Sequence, residues 1–235
     1  MLLALSGITY LIHFVIFRDF HHILIYFIGD VGFLFISVLL VTLVIERLLT
    51  ARDKQSLLNK LNMVIGAFFS EVGTQLLRTV SNLDPGSEEL RSGLNLRGDW
   101  SEKDFTQALG KMISHKYDVS VERGDLREIR DLLTKKREFL LALLENPNLL
   151  EHESFTELLW AVFHLSEELD ARKDLMGIPP ADLAHLKGDV MRAYSLLARE
   201  WLSHLKHLRD NYPYLFSLAV RTNPFNPEAA PEIAS

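Results

Sequence analysis

The sequence predicts an all-α protein with two transmembrane helices, a long stalk helix and a cytoplasmic helical bundle. Among the first fifty of its 235 residues the only charged side chains are Arg18, Asp19, Asp30, Glu46 and Arg47. The remainder carries nearly all the ionisable groups, and its apolar residues recur at three- and four-residue spacing, which is typical of amphipathic helices. The first part is therefore suited to the lipid bilayer and the remainder to water.

We divide the chain into three parts on this basis. Residues 1–48 are predicted to form a transmembrane helical hairpin, residues 49–222 a cytoplasmic helical domain, and residues 223–235 a disordered tail. The tail is assigned as disordered because three prolines lie among small residues there, a composition that buries little apolar surface.

Two apolar segments predict the hairpin. The uncharged run Leu2–Phe17 is short, because about 20 apolar residues are needed to cross a bilayer. Ile23–Ile45 is long enough and is interrupted only by Asp30. The polar link between them is too short for anything but an antiparallel pair. A cleaved signal peptide is the alternative for the first run, but the chain lacks a basic start and a small-residue cleavage site.

The basic residues after the second segment predict its orientation. Arg47, Arg52, Lys54 and Lys60 follow it closely, whereas the link between the segments offers only Arg18. Because Lys and Arg concentrate on the cytoplasmic side of membrane proteins, the helical domain is expected in the cytoplasm.

Asp30 is an intramembrane polar residue if the second segment spans in full. An ionised carboxylate at the centre of a bilayer costs about 2.5–3.5 kcal/mol, so function is one interpretation. The other is that Asp30, only seven residues after Ile23, lies near the headgroups. Gly29 and Gly32 flank it and would permit close helix approach in an oligomer.

From Glu46 the helix is predicted to continue as a stalk, because no proline occurs until Pro85. Gly66 and Gly73 are small residues on this stalk that either allow a neighbouring helix to approach or only cost stability. Beyond it, two segments that alternate apolar and polar residues, 94–96 and 117–121, predict either a small two-stranded ribbon or loops.

Capping patterns predict where the later helices begin. A carboxylate three residues after an N-cap residue satisfies backbone N–H groups of the first turn. The predicted pairs are Ser101 with Asp104, Asp125 with Glu128, and Ser154 with Glu157. The prolines at 179 and 180 open a last long helix over about 181–211.

Histidine and carboxylate residues at helical spacing are the candidate metal ligands. Glu200, His204 and His207 line the edge of the apolar stripe of the last helix, and a structural role for these histidines is the alternative. His164 and Glu168 form a second pair, but His164 is predicted to point away from the core.

Other chemistry is absent from the sequence. There are no cysteines, and the net charge of −6 argues against nucleic acid as a partner. We find no glycine-rich phosphate loop, nucleophile elbow or His-Glu-x-x-His motif, so we assign no catalytic residue and no cofactor, and do not predict an enzyme.

The stretches from Asn62 to Gly73, Glu145 to Glu153 and Asn211 to Phe216 are similar to a family of uncharacterised prokaryotic membrane proteins. That resemblance implies an N-terminal transmembrane hairpin, a helical cytoplasmic domain and a prokaryotic plasma (inner) membrane location as a multi-pass protein. It implies no activity and no site residue.

We therefore predict a membrane-anchored interaction, scaffold or regulatory module in contact with membrane lipid and with a protein partner or a second copy of itself. One alternative is a small oligomeric channel or transport subunit in which Asp30 faces a shared lumen. The other is a metal-dependent enzyme housed in the helical bundle.

Overall fold

The computed structural model describes residues 1–147, 149 and 152–232 and is helical throughout. The helices are α1 (Leu2–Phe17), α2 (Phe20–Phe68), a π-helix (Phe69–Gly73), α3 (Thr74–Asn82), α4 (Ser87–Gly93), α5 (Glu102–Ser114), α6 (Arg123–Lys135), α7 (Arg137–Leu144), α8 (Glu153–Asp170), α9 (Pro180–Asn211) and α10 (Pro213–Arg221). The all-α prediction is confirmed. Within the described residues no strand occurs, so 94–96 and 117–121 are loops and the ribbon prediction is wrong. An isolated pair of such short strands is marginal in water.

The chain divides into two compact units, Met1–Ser56 and Leu57–Ser235. The boundary that we predicted lies earlier, between residues 48 and 49, where the uncharged run ends. Packing rather than composition decides the difference, because Leu57 is the first of the described apolar residues that packs against the core of the second unit.

The first unit is a helical hairpin with a link of two residues. Arg18 closes α1 in the left-handed conformation, with φ of 49°, and its N–H donates to the carbonyl of Phe14. The carboxylate of Asp19 then accepts from the backbone N–H of His22 at 3.1 Å, which caps the start of α2.

Large apolar side chains of this unit are exposed from Leu3 to Leu49. The helix that starts at Phe20 contains an 18-residue window with a mean hydropathy of 2.5, and none of that window is buried. By length and composition this helix is able to cross a membrane, a test that signal sequences and core helices of soluble proteins also pass. The helix Leu3–Phe17 is shorter.

In the second unit the segment predicted as a stalk is part of the core. Leu61, Ile65, Phe68, Val72 and Leu76 are all buried, at the three- and four-residue spacing of the sequence. The long helix α9 is central and packs against α8, α10, α3 and α5. Its bounds match the predicted 181–211 within one residue.

Two helix starts test the capping predictions. At α5 the backbone N–H of Ser101 donates to the Asp104 carboxylate at 2.7 Å, as predicted. At α6 the backbone N–H of Glu122 donates to Asp125 at 2.7 Å, so the helix begins earlier than the predicted Asp125 and Glu128 pair. Both pairs, Glu122 with Asp125 and Asp125 with Glu128, have the spacing of a capping box. The first pair along the chain forms the cap.

The predicted Ser154 and Glu157 box is also displaced. His152 is the N-cap of α8, and its ring nitrogen accepts from the backbone N–H of Phe155 at 3.2 Å. Ser154 lies inside the first turn because a histidine nitrogen replaces the expected hydroxyl two residues earlier.

The start of the predicted disordered tail is ordered instead. Asn223 and Phe225 are buried, and the Phe225 ring lies 5.3 Å from that of Trp201. The side-chain amide of Asn223 donates to the carbonyl of Leu94 at 2.9 Å. One aromatic residue among the prolines therefore docks the segment, a contact that composition does not predict. Residues 233–235 lie outside the described residues.

Gly73, at the end of the π-helix, is required by close ring packing. A methyl group there would lie 2.6 Å from Phe69 Cδ1 and 2.7 Å from Phe68 Cε1, both in the core. We expect Gly73→Ala to lower the free energy of unfolding by about 1–3 kcal/mol through overpacking. Gly110→Ala, on the exposed face of α5 with open space around it, should instead gain about 1 kcal/mol in helix propensity. Urea unfolding followed by circular dichroism measures both, and a stabilising Gly73→Ala contradicts the prediction.

Candidate functional site

The second unit contains an apolar cavity of about 680 Å³. It lies between the residues around Gly66, the end of α9 and helix α10. This volume falls within the range of about 300–1,000 Å³ that is typical of small-molecule pockets. Apolar lining residues include Met63, Phe69, Trp201, Leu205, Leu208 and Leu215. Within the described residues, no Asp, Glu, Lys or Arg lines it, so the cavity offers no charge to a ligand.

The π-helix sets one wall of this pocket. Its wider turn places the Phe69 ring flat against that of His204, with centroids 5.4 Å apart and planes inclined by 12°. Gly66 lies opposite this ring, since a side-chain carbon there would make an ordinary contact with His204 at 3.4 Å. Single-turn π-helices occur frequently at functional sites. Gly73 is thus needed for packing against Phe68 and Phe69 of its own helical segment, and the approach of a neighbouring helix, which we predicted for these glycines, stays a prediction.

His204 is the buried polar group of the pocket. Its Nδ1 atom is buried and has no hydrogen-bond partner among the described residues. Burial, and next the proximity of His207, lowers the pKa of His204 to about 4, and burial also lowers the pKa of His207. His204 is therefore neutral at physiological pH, and its ring is one of the groups that line the pocket.

The predicted metal ligands Glu200, His204 and His207 all lie on α9. Metal sites in helical bundles take ligands from several helices, but Phe69 and Gly66 are the groups that face His204. Among the described residues, the three ligand atoms that lie within 4.8 Å of one another belong to Glu168, His185 and Asp189. The geometry favours that set over the predicted one.

This second cluster joins α8 to α9 through two pairs with four-residue spacing. On α8, His164 Nε2 lies 3.9 Å from Glu168 Oε1, and on α9, His185 Nε2 lies 3.4 Å from Asp189 Oδ2. Between the helices, His164 Nε2 lies 3.7 Å from Asp189 Oδ2, and His185 Nε2 lies 3.6 Å from Glu168 Oε2. Glu168, His185 and Asp189 thus converge, and His164 lies at the edge of this group.

His164 is exposed and lies beside Glu168 on the same helix, as predicted, and its ring also comes close to α9. The buried arc of α8 is wider than its predicted stripe, because Leu158, Ala161 and Leu165 are buried as well. These residues extend the packed face towards His164, which lies at its edge beside α9. The sequence signal available for this contact was a second histidine and carboxylate at four-residue spacing, His185 and Asp189.

Comparison with known proteins identifies a family, through two family models that match this chain. The model described as the uncharacterised protein MJ1433, C-terminal helical domain, matches residues 57–221, and the MJ1433 N-terminal helical domain matches residues 1–49. The chain belongs to the MJ1433 family. The uncharacterised protein MJ1433 of Methanocaldococcus jannaschii is 47% identical over 225 residues, which cover 96% of this chain and 90% of that relative. No solved structure matches the chain.

Membership of the MJ1433 family confirms the predicted resemblance to an uncharacterised helical family, while its membrane hairpin remains a prediction. Asp30 lies in the part that matches the N-terminal MJ1433 domain. It is exposed, and its carboxylate accepts a hydrogen bond from the Tyr10 hydroxyl of α1 at 3.4 Å. The hairpin itself therefore supplies a hydrogen-bond partner for this carboxylate.

Proposed function

We propose that this protein is a membrane-anchored binding module whose helical domain takes up a small, neutral, largely apolar molecule. Its role is regulatory or that of an interaction module. The observation that carries the proposal is the apolar cavity of about 680 Å³ beside His204. The polar groups that line it include Ser70, Thr74 and Thr222, which bond a neutral head group without a charge.

Ligand charge follows from the lining. An anion that entered the pocket would lose its hydration without gaining a cationic partner. A cation would likewise gain no carboxylate partner. Either transfer costs several kcal/mol per unpaired ion in an apolar surrounding. A long-chain alcohol or acylglycerol, by contrast, needs one or two hydrogen bonds, for which the lining offers the hydroxyls of Ser70, Thr74 and Thr222.

The exposed apolar surface of the first unit supports membrane anchoring. A window with a mean hydropathy of 2.5 and no buried residue would be unfavourable in water and favourable in lipid. The basic residues from Arg47 to Lys60 support a cytoplasmic helical domain in a prokaryotic plasma membrane. Membrane lipid, and a protein partner or second copy, are the partners that we propose.

The channel alternative receives less support. It rests on the cost of an unpaired carboxylate in the membrane, which an oligomer would relieve. The hydrogen bond from Tyr10 to Asp30 relieves part of that cost within one chain.

Trp201 reports directly on the pocket, because it is buried and lines the cavity. With the full chain in lipid nanodiscs, we expect a brominated monoacylglycerol to quench Trp201 emission saturably. The Trp201 signal is the difference between the wild type and Trp201→Phe. Gly66→Leu places a side chain in the cavity and should weaken binding by about tenfold or more, since the apolar contact area is lost.

Gly110→Leu is the matched control, a glycine-to-leucine change in a helix with open space around it, and should bind as the wild type does. A brominated fatty acid, which is anionic, should bind more weakly than the neutral probe. If quenching rises linearly with the fraction of probe in the lipid, and equally in all variants, the probe only partitions into the bilayer. That result would overturn the proposal.

A further inference from the structure

The cluster between α8 and α9 contains a buried carboxylate, that of Asp189, which is not fully hydrogen-bonded. The Asp189 side chain is only 3% exposed, and its Oδ2 atom has no hydrogen-bond partner among the described residues. A buried carboxylate oxygen without a partner costs the full loss of its hydration. The two nearest nitrogens, His185 Nε2 at 3.4 Å and His164 Nε2 at 3.7 Å, lie too far for good hydrogen bonds.

We infer that His164, Glu168, His185 and Asp189 form a binding site for one divalent transition-metal ion, with Zn²⁺ as the best match. The inference is independent of the apolar pocket, since the two sites share no residue.

The spacing of the ligand atoms fits such an ion. In a tetrahedral site with metal–ligand bonds of about 2.0–2.1 Å, the ligand atoms lie about 3.3–3.4 Å apart. One ligand atom each of Glu168, His185 and Asp189 lie within 4.8 Å of one another, and His185 Nε2 lies 3.4 Å from Asp189 Oδ2 and 3.6 Å from Glu168 Oε2. His164 Nε2 lies outside this group of three, 3.7 Å from Asp189 Oδ2 and 3.9 Å from the other Glu168 oxygen, Oε1. A bound ion would draw the three ligand atoms together, and the exposed His164 side chain would shift further to supply the fourth ligand.

The donor atoms select the class of metal. Two imidazole nitrogens with two carboxylate oxygens suit Zn²⁺ and its neighbours in the first transition row. Calcium and magnesium prefer oxygen ligands alone. Four protein ligands leave a tetrahedral ion no open position, so the ion would tie α8 to α9 and serve a structural role.

Neighbouring charges hold the ligands in place without cancelling the attraction. Arg192 contacts Asp189 Oδ1 at 3.1 Å, which leaves Oδ2 for the ion. Arg172 donates to Glu168 Oε2 at 2.8 Å, the oxygen that faces His185, and also pairs with Asp182, which leaves Glu168 Oε1 for the ion. These groups comprise three carboxylates and two guanidiniums, so the surroundings of a bound dication remain net negative. Guanidiniums that hold ligating carboxylates are typical outer-sphere partners of metal sites.

Metal counting on the full chain tests the inference. Protein purified in mild detergent is stripped with a chelator, dialysed against ZnCl₂ and analysed by elemental mass spectrometry. We expect one zinc ion per chain and a higher unfolding temperature than in the stripped protein. CoCl₂ should give the visible absorption of a tetrahedral nitrogen–oxygen site. Asp189→Asn and His185→Gln should each weaken zinc binding by about 100-fold or more, because loss of an outer-sphere partner alone costs 10–100-fold.

Matched variants make each outcome decisive. His207→Gln removes a histidine of the other candidate set and should retain the zinc. In Asp189→Asn the amide oxygen preserves the Arg192 contact, so its unfolding temperature in chelator should equal that of the wild type. If that variant fails to fold, His164→Gln replaces it, since this side chain is 46% exposed, and should bind at least about tenfold more weakly. A wild type that binds no zinc, ligand variants that bind it undiminished, or loss only in His207→Gln would overturn the site.

Discussion

Replacing Asp84 with alanine should lower the free energy of unfolding by about 1–3 kcal/mol or more, because it leaves the buried His115 ring without its hydrogen-bond partner. The Asp84 carboxylate lies 2.9 Å from His115 Nε2, and neither side chain is more than 4% exposed. Its other oxygen accepts from the backbone N–H of Gly86 at 2.7 Å. One side chain thus fixes the turn before α4 and joins it to the end of α5.

Nearby phenols make this region still less tolerant of an unpaired group. Burial, and next the negative charge of Asp84, raises the pKa of Tyr194 far above its usual value. Burial likewise raises the pKa of Tyr117 to about 12. Both phenols stay neutral, so neither replaces the lost anion beside His115, which would be left buried without its acceptor.

Urea unfolding of the full chain in detergent, followed by circular dichroism, measures the loss. Asp84→Asn keeps the acceptor for Gly86 and should cost less than Asp84→Ala. Asp131→Ala, on a side chain 59% exposed, is the matched control and should change stability by no more than about 0.5 kcal/mol. An Asp84→Ala variant as stable as Asp131→Ala would contradict a structural role for the pair.

Local signals in the sequence were sufficient for much of the helical fold. The periodic apolar residues from Leu61 to Leu76 and the Ser101 and Asp104 cap each depend on residues within one helix. Their spacing alone determines which side chains meet. The start of α6 was missed because two overlapping cap patterns compete there, at Glu122 and at Asp125.

Contacts between helices were not predictable in the same way. The register of α8 against α9 brings His164 to Asp189, and a single sequence does not specify which turns of two helices face each other. His204 was singled out from the sequence as a candidate metal ligand at the edge of a stripe, but its neighbour was unknown. That neighbour is Phe69, which a π-helix turns towards it. No residue pattern distinguishes that π-turn from the α-helix around it.

His204 should make the stability of the protein fall as the pH decreases. Its pKa is about 4 in the folded protein and about 6.5 when unfolded, chiefly because burial disfavours the charged imidazolium. Between these two pKa values, the unfolded chain therefore binds a proton at His204 that the folded chain does not bind. The stabilising contribution is complete above pH 6.5 and is lost progressively as the pH falls towards about 4.

Linkage sets the size of this effect. Between about pH 7.5 and pH 5, these two pKa values predict a loss of about 2 kcal/mol from this one residue. We expect His204→Phe, which can still stack on Phe69, and His204→Gln, which keeps a polar group, both to remove that part of the pH dependence. The measurement is urea unfolding at the two pH values for each variant, with the difference between wild type and variant isolating His204 from other titrating groups. His207→Gln should remove a smaller part in the same direction, because burial lowers its pKa as well. If the wild type and both His204 variants lose equal stability on acidification, His204 is not held neutral by burial. The pocket would then be wet, and a neutral apolar ligand would be the wrong class of molecule for it.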